Sequence, residues 1–183
     1  MKSENLPLKD ACVIIPELLC DNRGAFGRIF CKNEFKKLGH NKEIVQINHS
    51  LNRKIGATRG MHFQYPPKCE IKMVKCVKGS VFDVIVDIRK DSPTFLQWHG
   101  IELSETNMKM IYIPEGFAHG FQVLQPDSEL IYLHTEFYAP EYEGALRYSD
   151  PILNIKWPLK VADISENDKN HPLIDINFKG LVI

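Results

Sequence analysis

Apolar and polar residues alternate at every second position through much of the middle of the chain, a pattern that predicts β-strands. In residues 81–88 two interleaved sets would face opposite sides of a sheet: Phe82, Val84, Val86 and Ile88, and Val81, Asp83, Ile85 and Asp87. Further strands are predicted within residues 12–18, 43–51, 73–89, 97–104, 109–116 and 120–138. Many short strands separated by turns favour an antiparallel sandwich or barrel.

One segment carries a helical pattern. Residues 33–39 read NEFKKLG, which predicts a short helix with Asn33 as its N-cap and Gly39 as its stop. From Ala139 onward the chain holds several prolines and few periodic runs, so we expect an irregular segment with room for one short helix. The sequence therefore predicts one all-β domain over residues 1–183, with a β core at about 20–140 and an irregular segment at 140–183 packed on it.

The charge and composition of the chain indicate which partners and which compartment to expect. The formal net charge of the 183 residues is zero, so no global field favours nucleic acid or an anionic membrane. No apolar run approaches the roughly 20 residues of a membrane helix, and the N-terminus lacks the pattern of a signal peptide. The five cysteines form no C-x-x-C pair, which is typical of reduced thiols. We expect a cytoplasmic protein that binds neither nucleic acid nor membrane.

The first informative motif lies at residues 113–121, IPEGFAHGF. Pro114, Gly116 and His119 match the P-x-G-x-x-H pattern of cupins, in which this histidine is often a metal ligand. Its usual partners include an earlier H-x-H, but this chain has only His62, with Gln64 in the second place. The sequence therefore predicts no metal. A metal-dependent cupin, such as a dioxygenase, and a non-catalytic binding module remain alternatives.

The segment RGMHFQ, residues 59–64, supplies a candidate general base. Residues at even separation share a strand face, so His62 and Gln64 would point the same way. An imidazole is a natural base because its ordinary pKa lies near neutral pH. A carboxylate bonded to one ring nitrogen would orient it and raise its basicity. Asp163 and Asp168 are both candidates for that carboxylate, and the sequence does not choose between them.

Several segments together resemble one family. They are DNRGAF (21–26), VQINHS (45–50), TRGMHFQYPP (58–67), the run at 72–95, IELS (101–104), IYIPEGFAHGFQVL (111–124), FYAPEYE (137–143) and DISENDK (163–169). In this order and spacing the chain resembles the dTDP-4-dehydrorhamnose 3,5-epimerases, within the cupin superfamily, from about Cys20 to Lys169. The resemblance implies a jelly-roll homodimer that needs no cofactor and acts on a nucleotide-linked 4-keto-6-deoxyhexose in rhamnose-type deoxysugar biosynthesis for a cell-surface polysaccharide.

The resemblance also implies roles, residue by residue. The base would be His62, its carboxylate partner Asp168, the proton donor on the opposite sugar face Tyr132, and the lysine near the enolate oxygen Lys72. Substrate-binding positions would be Arg23, Phe26, Arg28, Gln46, Asn48, Arg59, His119, Tyr138 and Glu143, with Tyr138 stacking on the nucleotide base. The chemistry agrees, because removing a proton next to a ketone needs a base and a cation near the enolate, and inversion needs an acid on the other face.

Some positions depart from the family pattern. Arg28 stands where Glu is common, Ile47 where Asp is frequent, Asn167 where Lys is frequent, and residues 148–150 read YSD rather than WDD. Arg28 and Asn167 favour two alternatives, which are an epimerase acting at carbon 3 or carbon 5 alone and an enzyme for CDP- or GDP-linked sugars. An isomerase that moves the ketone is a further alternative, but Tyr132 argues against it.

Overall fold

The computed structural model describes residues 1–183 and consists mainly of antiparallel β-sheet. The strands are β1 (Lys2–Asn5), β2 (Cys12–Ile15), β3 (Leu18–Asp21), β4 (Gly24–Gly27), β5 (Gln46–Asn52), β6 (Thr58–Gln64), β7 (Lys72–Lys78), β8 (Ser80–Asp87), β9 (Trp98–Ser104), β10 (Met110–Ile113), β11 (Phe117–Val123), β12 (Ser128–His134) and β13 (Glu143–Ala145). The helices are α1 (Lys32–Lys37), α2 (Glu166–Asn170) and a single 3₁₀ turn (Pro140–Tyr142). Neither α-helix has the length and apolar composition needed to cross a bilayer.

The strands form two facing sheets and one small hairpin. The first sheet has the order β1-β2-β10-β7-β12-β5, the second the order β13-β6-β11-β8-β9, and β3 pairs with β4 alone. This arrangement confirms the predicted all-β, cupin-type jelly roll. The first sheet begins nearer the N-terminus than predicted, because β1 and β2 belong to it.

Both faces of strand β8 are packed against other parts of the protein. Val81 and Ile85 join an apolar cluster that includes Val74 and Leu130 from the opposite sheet, so this face fills the space between the sheets. The other set, including Val84 and Val86, packs instead beneath the C-terminal segment, against Leu146, Leu153 and Ile155. Burying each such side chain contributes about 1.5–3 kcal/mol. The two interleaved sets therefore face opposite sides, as the period of two predicts.

Helix α1 covers the outer face of the first sheet through Phe35, which is fully buried against Met73 and Met110. The predicted N-cap was wrong. Cys31 is the N-cap, with extended backbone and no side-chain cap bond, and Asn33 lies inside the first turn. Burial of Phe35 outweighs the roughly 1 kcal/mol of a cap. Gly39 follows the helix at φ +88°, as expected of a stop.

The C-terminal segment packs on the second sheet and places α2 at one rim of the space between the sheets. The backbone N–H of Thr58 in β6 donates to the carbonyl of Asp163 at 2.8 Å. Ser165 then caps α2, its Oγ accepting from the Asp168 N–H at 3.0 Å. These bonds fix α2 next to β6, so that Asp168 is buried at that rim.

Candidate active site

A cavity of about 510 Å³ opens between the two sheets. The inward side chains of β5 and β12 form one wall, and β6, β11 and the C-terminal segment form the other. The residues that carry the following argument are Asn48, Ser50, Arg59, His62, Lys72, His119, Tyr132, His134, Glu143 and Asp168, all of which line the cavity.

Gly60 allows two neighbouring polar residues to enter the same cavity. It has φ +92°, and a Cβ there would lie 2.5 Å from the carbonyl oxygen of His119. The ladder between β6 and β11 shifts register at this point, so that His62 pairs with His119 while Arg59 pairs with Phe121. The alternation of β6 is thereby reset, and both Arg59 and His62 line the cavity.

His62 forms a dyad with Asp168. Its Nε2 lies 2.6 Å from Asp168 Oδ1, and the N–H of Gly60 lies 3.3 Å from Oδ2. Burial alone would raise the pKa of Asp168, but the hydrogen bond and charge of His62 hold that pKa below its ordinary value. A charged carboxylate accepts from Nε2–H, which leaves Nδ1 as the nitrogen able to take a proton.

The structure shows which of the two candidate aspartates is the partner of His62. Asp163 Oδ2 pairs with Lys54 Nζ at 2.9 Å on the surface, whereas Asp168 contacts His62. The sequence could not make this choice because it depends on where α2 docks against β6.

Tyr132 lies on the sheet opposite His62. In β12 it pairs with Asn48 of β5 and Val74 of β7, and its Oη lies 3.0 Å from Ser50 Oγ. Burial raises the pKa of Tyr132 to about 12, against the lowering effect of the Ser50 hydrogen bond. The phenol therefore keeps its proton at neutral pH and can act as a donor.

Lys72 is held by a carboxylate that sequence reasoning missed. Glu70 lies 3.1 Å from Lys72 Nζ through Oε1 and 2.6 Å from His134 Nδ1 through Oε2. Burial alone would raise the pKa of Glu70, but the Lys72 charge and the His134 bond keep it below its ordinary value. His134 could have been found from its position two residues after Tyr132, on the same strand face. Lys72 is thus a fixed positive charge in the cavity wall.

His119 is also held by a carboxylate that the sequence analysis assigned no role. Its Nε2 lies 2.9 Å from Oδ2 of Asp83, whose side chain is completely buried in β8. Burial raises the pKa of Asp83 despite the neighbouring His119. The signal was present in the sequence, since Asp83 is a polar residue within the apolar alternation of β8.

Four of the predicted substrate-binding residues form one rim of the site. Gln46, Asn48, Tyr138 and Glu143 line a smaller adjoining cavity of about 150 Å³. The backbone N–H of Tyr138 donates to Gln46 Oε1 at 3.2 Å, and its hydroxyl donates to Glu143 Oε2 at 3.0 Å. Tyr138 is 57% exposed, which leaves its ring available for stacking.

Three predicted residues lie outside this cavity, on or beside the β3–β4 hairpin. Arg23 pairs with Asp21 in the turn, Phe26 is 71% exposed, and Arg28 Nη1 lies 2.6 Å from Glu34 Oε1. None of the three lines the cavity between the sheets. Within one chain the structure does not bring them to His62.

Possible metal ligands occur at the dyad. His62, Asp168 and His171 place their ligand atoms within 4.8 Å of one another. The His62–Asp168 separation of 2.6 Å is that of a hydrogen bond. Gln64, at the usual position of a second cupin histidine, is committed to backbone groups, donating to Lys68 O at 2.8 Å and accepting from Ala139 N–H at 2.7 Å. The expectation of a metal-free site stays a prediction.

The chain is similar to known proteins over most of its length. A sequence model of the family described as dTDP-4-dehydrorhamnose 3,5-epimerase matches residues 5–175. The chain is 43% identical over 164 residues to the protein of that name from Shigella flexneri, covering 89% of this chain and 90% of that protein.

Two solved structures are similar throughout. The dTDP-4-dehydrorhamnose 3,5-epimerase from Bacillus anthracis, solved with TDP and PPi bound, is 38% identical, with a TM-score of 0.92 over 94% of this chain and 99% of that one. The dTDP-6-deoxy-D-glucose-3,5-epimerase from Legionella pneumophila, in complex with dTDP-4-keto-L-rhamnose, is 37% identical, with a TM-score of 0.91 over 100% of this chain and 98% of that one. With a shared fold and nearly full coverage on both sides, the chain belongs to the dTDP-4-dehydrorhamnose 3,5-epimerase family.

Proposed function

We propose that the protein inverts carbons 3 and 5 of a dTDP-linked 4-keto-6-deoxyhexose. The observation that carries the proposal is the placement of a base and an acid on different sheets of one cavity. His62, oriented by Asp168, stands on β6, and protonated Tyr132 stands on β12 of the facing sheet. A sugar ring between the sheets would meet the base on one face and the acid on the other, as inversion requires.

The reaction follows from these positions. His62 Nδ1 takes the proton from the carbon next to the ketone, and the electron pair passes to the ketone oxygen as an enolate. The Lys72 ammonium stabilises the charge on that oxygen. Tyr132 then gives its proton to the carbon from the opposite face, which leaves a phenolate and an imidazolium that exchange protons with solvent. Carbons 3 and 5 both flank the ketone, so the same groups serve both inversions.

The proposed nucleotide is dTDP, held by the exposed Tyr138 ring and by arginine forks, which match pyrophosphate well. Arg59 lines the cavity. The B. anthracis relative holds TDP and PPi, which supports the same ligand here.

We infer a homodimer from the β3–β4 hairpin. Arg23 and Phe26 lie outside their own cavity, and the hairpin leaves Leu19 74% exposed and Phe26 71% exposed. In such a dimer Arg23, Phe26 and Arg28, which the resemblance assigns to substrate binding, reach the substrate of the second copy of the chain. Apolar surface of this kind favours such packing.

The proposed setting is rhamnose-type deoxysugar biosynthesis for a cell-surface polysaccharide, in the cytoplasm. All five cysteines are free thiols in the structure, which supports a reducing compartment.

The test is incubation with dTDP-4-keto-6-deoxyglucose in deuterated water, followed by NMR. We expect deuterium at carbon 3 and carbon 5 and formation of the inverted sugar, and neither with His62→Ala. Absence of deuterium at both carbons would overturn the proposal. Deuterium at one carbon alone, or faster exchange with the CDP- or GDP-linked sugar, would select the corresponding alternative.

A further inference from the structure

Behind Tyr132 runs a chain of hydrogen bonds that begins at a charged donor. Arg59 Nε lies 2.8 Å from Asn52 Oδ1, Asn52 Nδ2 lies 3.1 Å from Ser50 Oγ, and Ser50 Oγ lies 3.0 Å from Tyr132 Oη. Asn52 is 2% exposed, so its amide cannot rely on water for partners.

The direction of the first two bonds follows from chemistry alone. A guanidinium N–H can only donate, so the Asn52 atom facing Arg59 is the amide oxygen. A backbone carbonyl can only accept, and the other Asn52 atom lies 3.3 Å from the carbonyl oxygen of Ser128. That atom is therefore the amide nitrogen. Its second N–H donates to Ser50 Oγ, since one nitrogen carries two donors.

The Ser50 hydroxyl has one proton, and Tyr132 Oη is the remaining partner to which it can donate. Its oxygen already accepts from Asn52, and the other hydrogen-bond partner of its hydroxyl is Tyr132 Oη. Donation to Tyr132 is the arrangement that gives the Ser50 proton an acceptor within the protein, and in it the proton of Tyr132 is not drawn toward the wall of the sheet. It stays directed into the cavity that Tyr132 lines.

We propose that Ser50 and Asn52 are positioning residues that fix the direction of this hydrogen-bond chain, so that the acid presents its proton to the sugar. The inference rests on the proposed epimerase function and deepens it. When Tyr132 gives up its proton, the phenolate oxygen already faces a donor, and no hydroxyl has to turn. The Ser50 bond and the Arg59 charge both lower the pKa of Tyr132 against the dominant effect of burial, which is consistent with that support.

The same chain of hydrogen bonds connects Tyr132, the proposed acid, to Arg59, the proposed binder of the substrate's pyrophosphate. Arg59 uses Nε for Asn52, and its terminal nitrogens remain for a phosphate in the cavity. The same side chain would thus hold pyrophosphate and set the direction of donation to Tyr132.

The experiment compares two rates in deuterated water, with dTDP-4-keto-6-deoxyglucose as substrate. Deuterium entry into recovered substrate requires only the base, whereas inversion also requires the acid. For Ser50→Ala we expect inversion to fall about tenfold to a hundredfold, as for loss of a hydrogen bond to a charged group. Deuterium entry and KM should stay within about threefold. Ser50→Thr restores the hydroxyl and should recover most of the inversion.

Asn52→Asp tests the direction itself, because it keeps the shape and removes the N–H donor. Ser50 would then donate to the carboxylate and Tyr132 to Ser50, so inversion should fall at least as far as in Ser50→Ala. Ser104→Ala is the matched control, since it removes a buried serine hydroxyl that bonds Thr106 Oγ1 and lies away from the cavity. Its two rates should match those of the wild type.

Two outcomes overturn the inference. One is a normal rate of inversion in Ser50→Ala or Asn52→Asp with an intact thermal transition. The other is an equal loss of deuterium entry and inversion, which would indicate general damage to the site. Failure of the proposed function is distinguishable, because the wild type would then show no deuterium at carbon 3 or carbon 5.

Discussion

Replacing Asp168 with asparagine changes the charge at the dyad while keeping its shape, and the structure predicts how the new amide would turn. The Gly60 N–H lies 3.3 Å from Oδ2 and can only donate, so the amide oxygen of the variant side chain would occupy that place. The amide nitrogen would then face His62 Nε2 at the former position of Oδ1. His62 would have to accept there and carry its proton on Nδ1, which removes the lone pair that the reaction needs.

The magnitude follows from the charges involved. A hydrogen bond to a charged group is worth about 1.5–3 kcal/mol. Two unit charges at 4 Å interact by about 4 kcal/mol at an effective dielectric constant of 20. A loss of about 2–4 kcal/mol corresponds to a decrease in kcat/KM of about 30- to 900-fold. Because the tautomer changes as well, we expect the upper end of this range, near 10³-fold.

The assay is kcat/KM for dTDP-4-keto-6-deoxyglucose together with deuterium entry at carbon 3. Both should fall together in Asp168→Asn, because the base serves both. Asp10→Asn is the matched control, since Asp10 pairs with Arg89 at the surface and does not line the cavity, and it should stay within about threefold of the wild type. Activity of Asp168→Asn within tenfold of the wild type would refute the role of the carboxylate.

The same pair predicts a dependence of stability on pH. The pKa of Asp168 is lower in the folded protein than its ordinary value of about 3.9. Its contribution is therefore fully present above that ordinary value and is lost as pH falls through the folded pKa. Urea denaturation at several pH values should show a difference between wild type and Asp168→Asn that is constant near neutrality and shrinks on strong acidification. A difference that grows on acidification would contradict the direction of the shift.

Three further outcomes are expected. Tyr132→Phe should lose inversion by about 10²–10⁴-fold while deuterium still enters the substrate, measured by NMR; normal inversion would show that the donor is another group. Lys72→Gln should lower kcat by about 10²–10³-fold, by analogy with loss of one oxyanion donor, with dTDP affinity unchanged in calorimetry; an unchanged kcat would remove Lys72 from the enolate site. Phe35→Ala should lower the free energy of unfolding by about 3–5 kcal/mol, measured by urea denaturation, because this side chain of α1 is fully buried. A decrease below about 1 kcal/mol would mean that α1 is not docked in solution.

The sequence predicted the interior of the sheets better than their edges. Strands β8 and β12 lie within predicted segments, as do all but the first residue of β7 and the second half of β11, since most of their residues are buried and apolar residues are frequent in them. The strands β1, β3 and β4 were missed because most of their residues are exposed. Without a buried face, a strand has no period of two to detect.

The structure places the predicted base, acid and lysine in one cavity. Their partners were harder to predict. Asp168 reaches His62 only through the docking of α2, and Glu70 precedes β7 in a loop. The His62–Asp168 and His134–Glu70 contacts join residues far apart in sequence, so they depend on tertiary packing, which propensity and spacing do not encode.

His62 and Asp168 are 106 positions apart in the sequence, which bears on when the catalytic base becomes functional during synthesis. A nascent chain that has emerged as far as residue 160 already contains strands β1 to β13, and hence the parts of the cavity wall that the two sheets supply. It still lacks Asp168, the carboxylate that fixes which ring nitrogen of His62 carries the proton. The strands of both sheets therefore leave the ribosome before the carboxylate that orients the base, and removal of the residues after 160 would take that carboxylate from the finished protein.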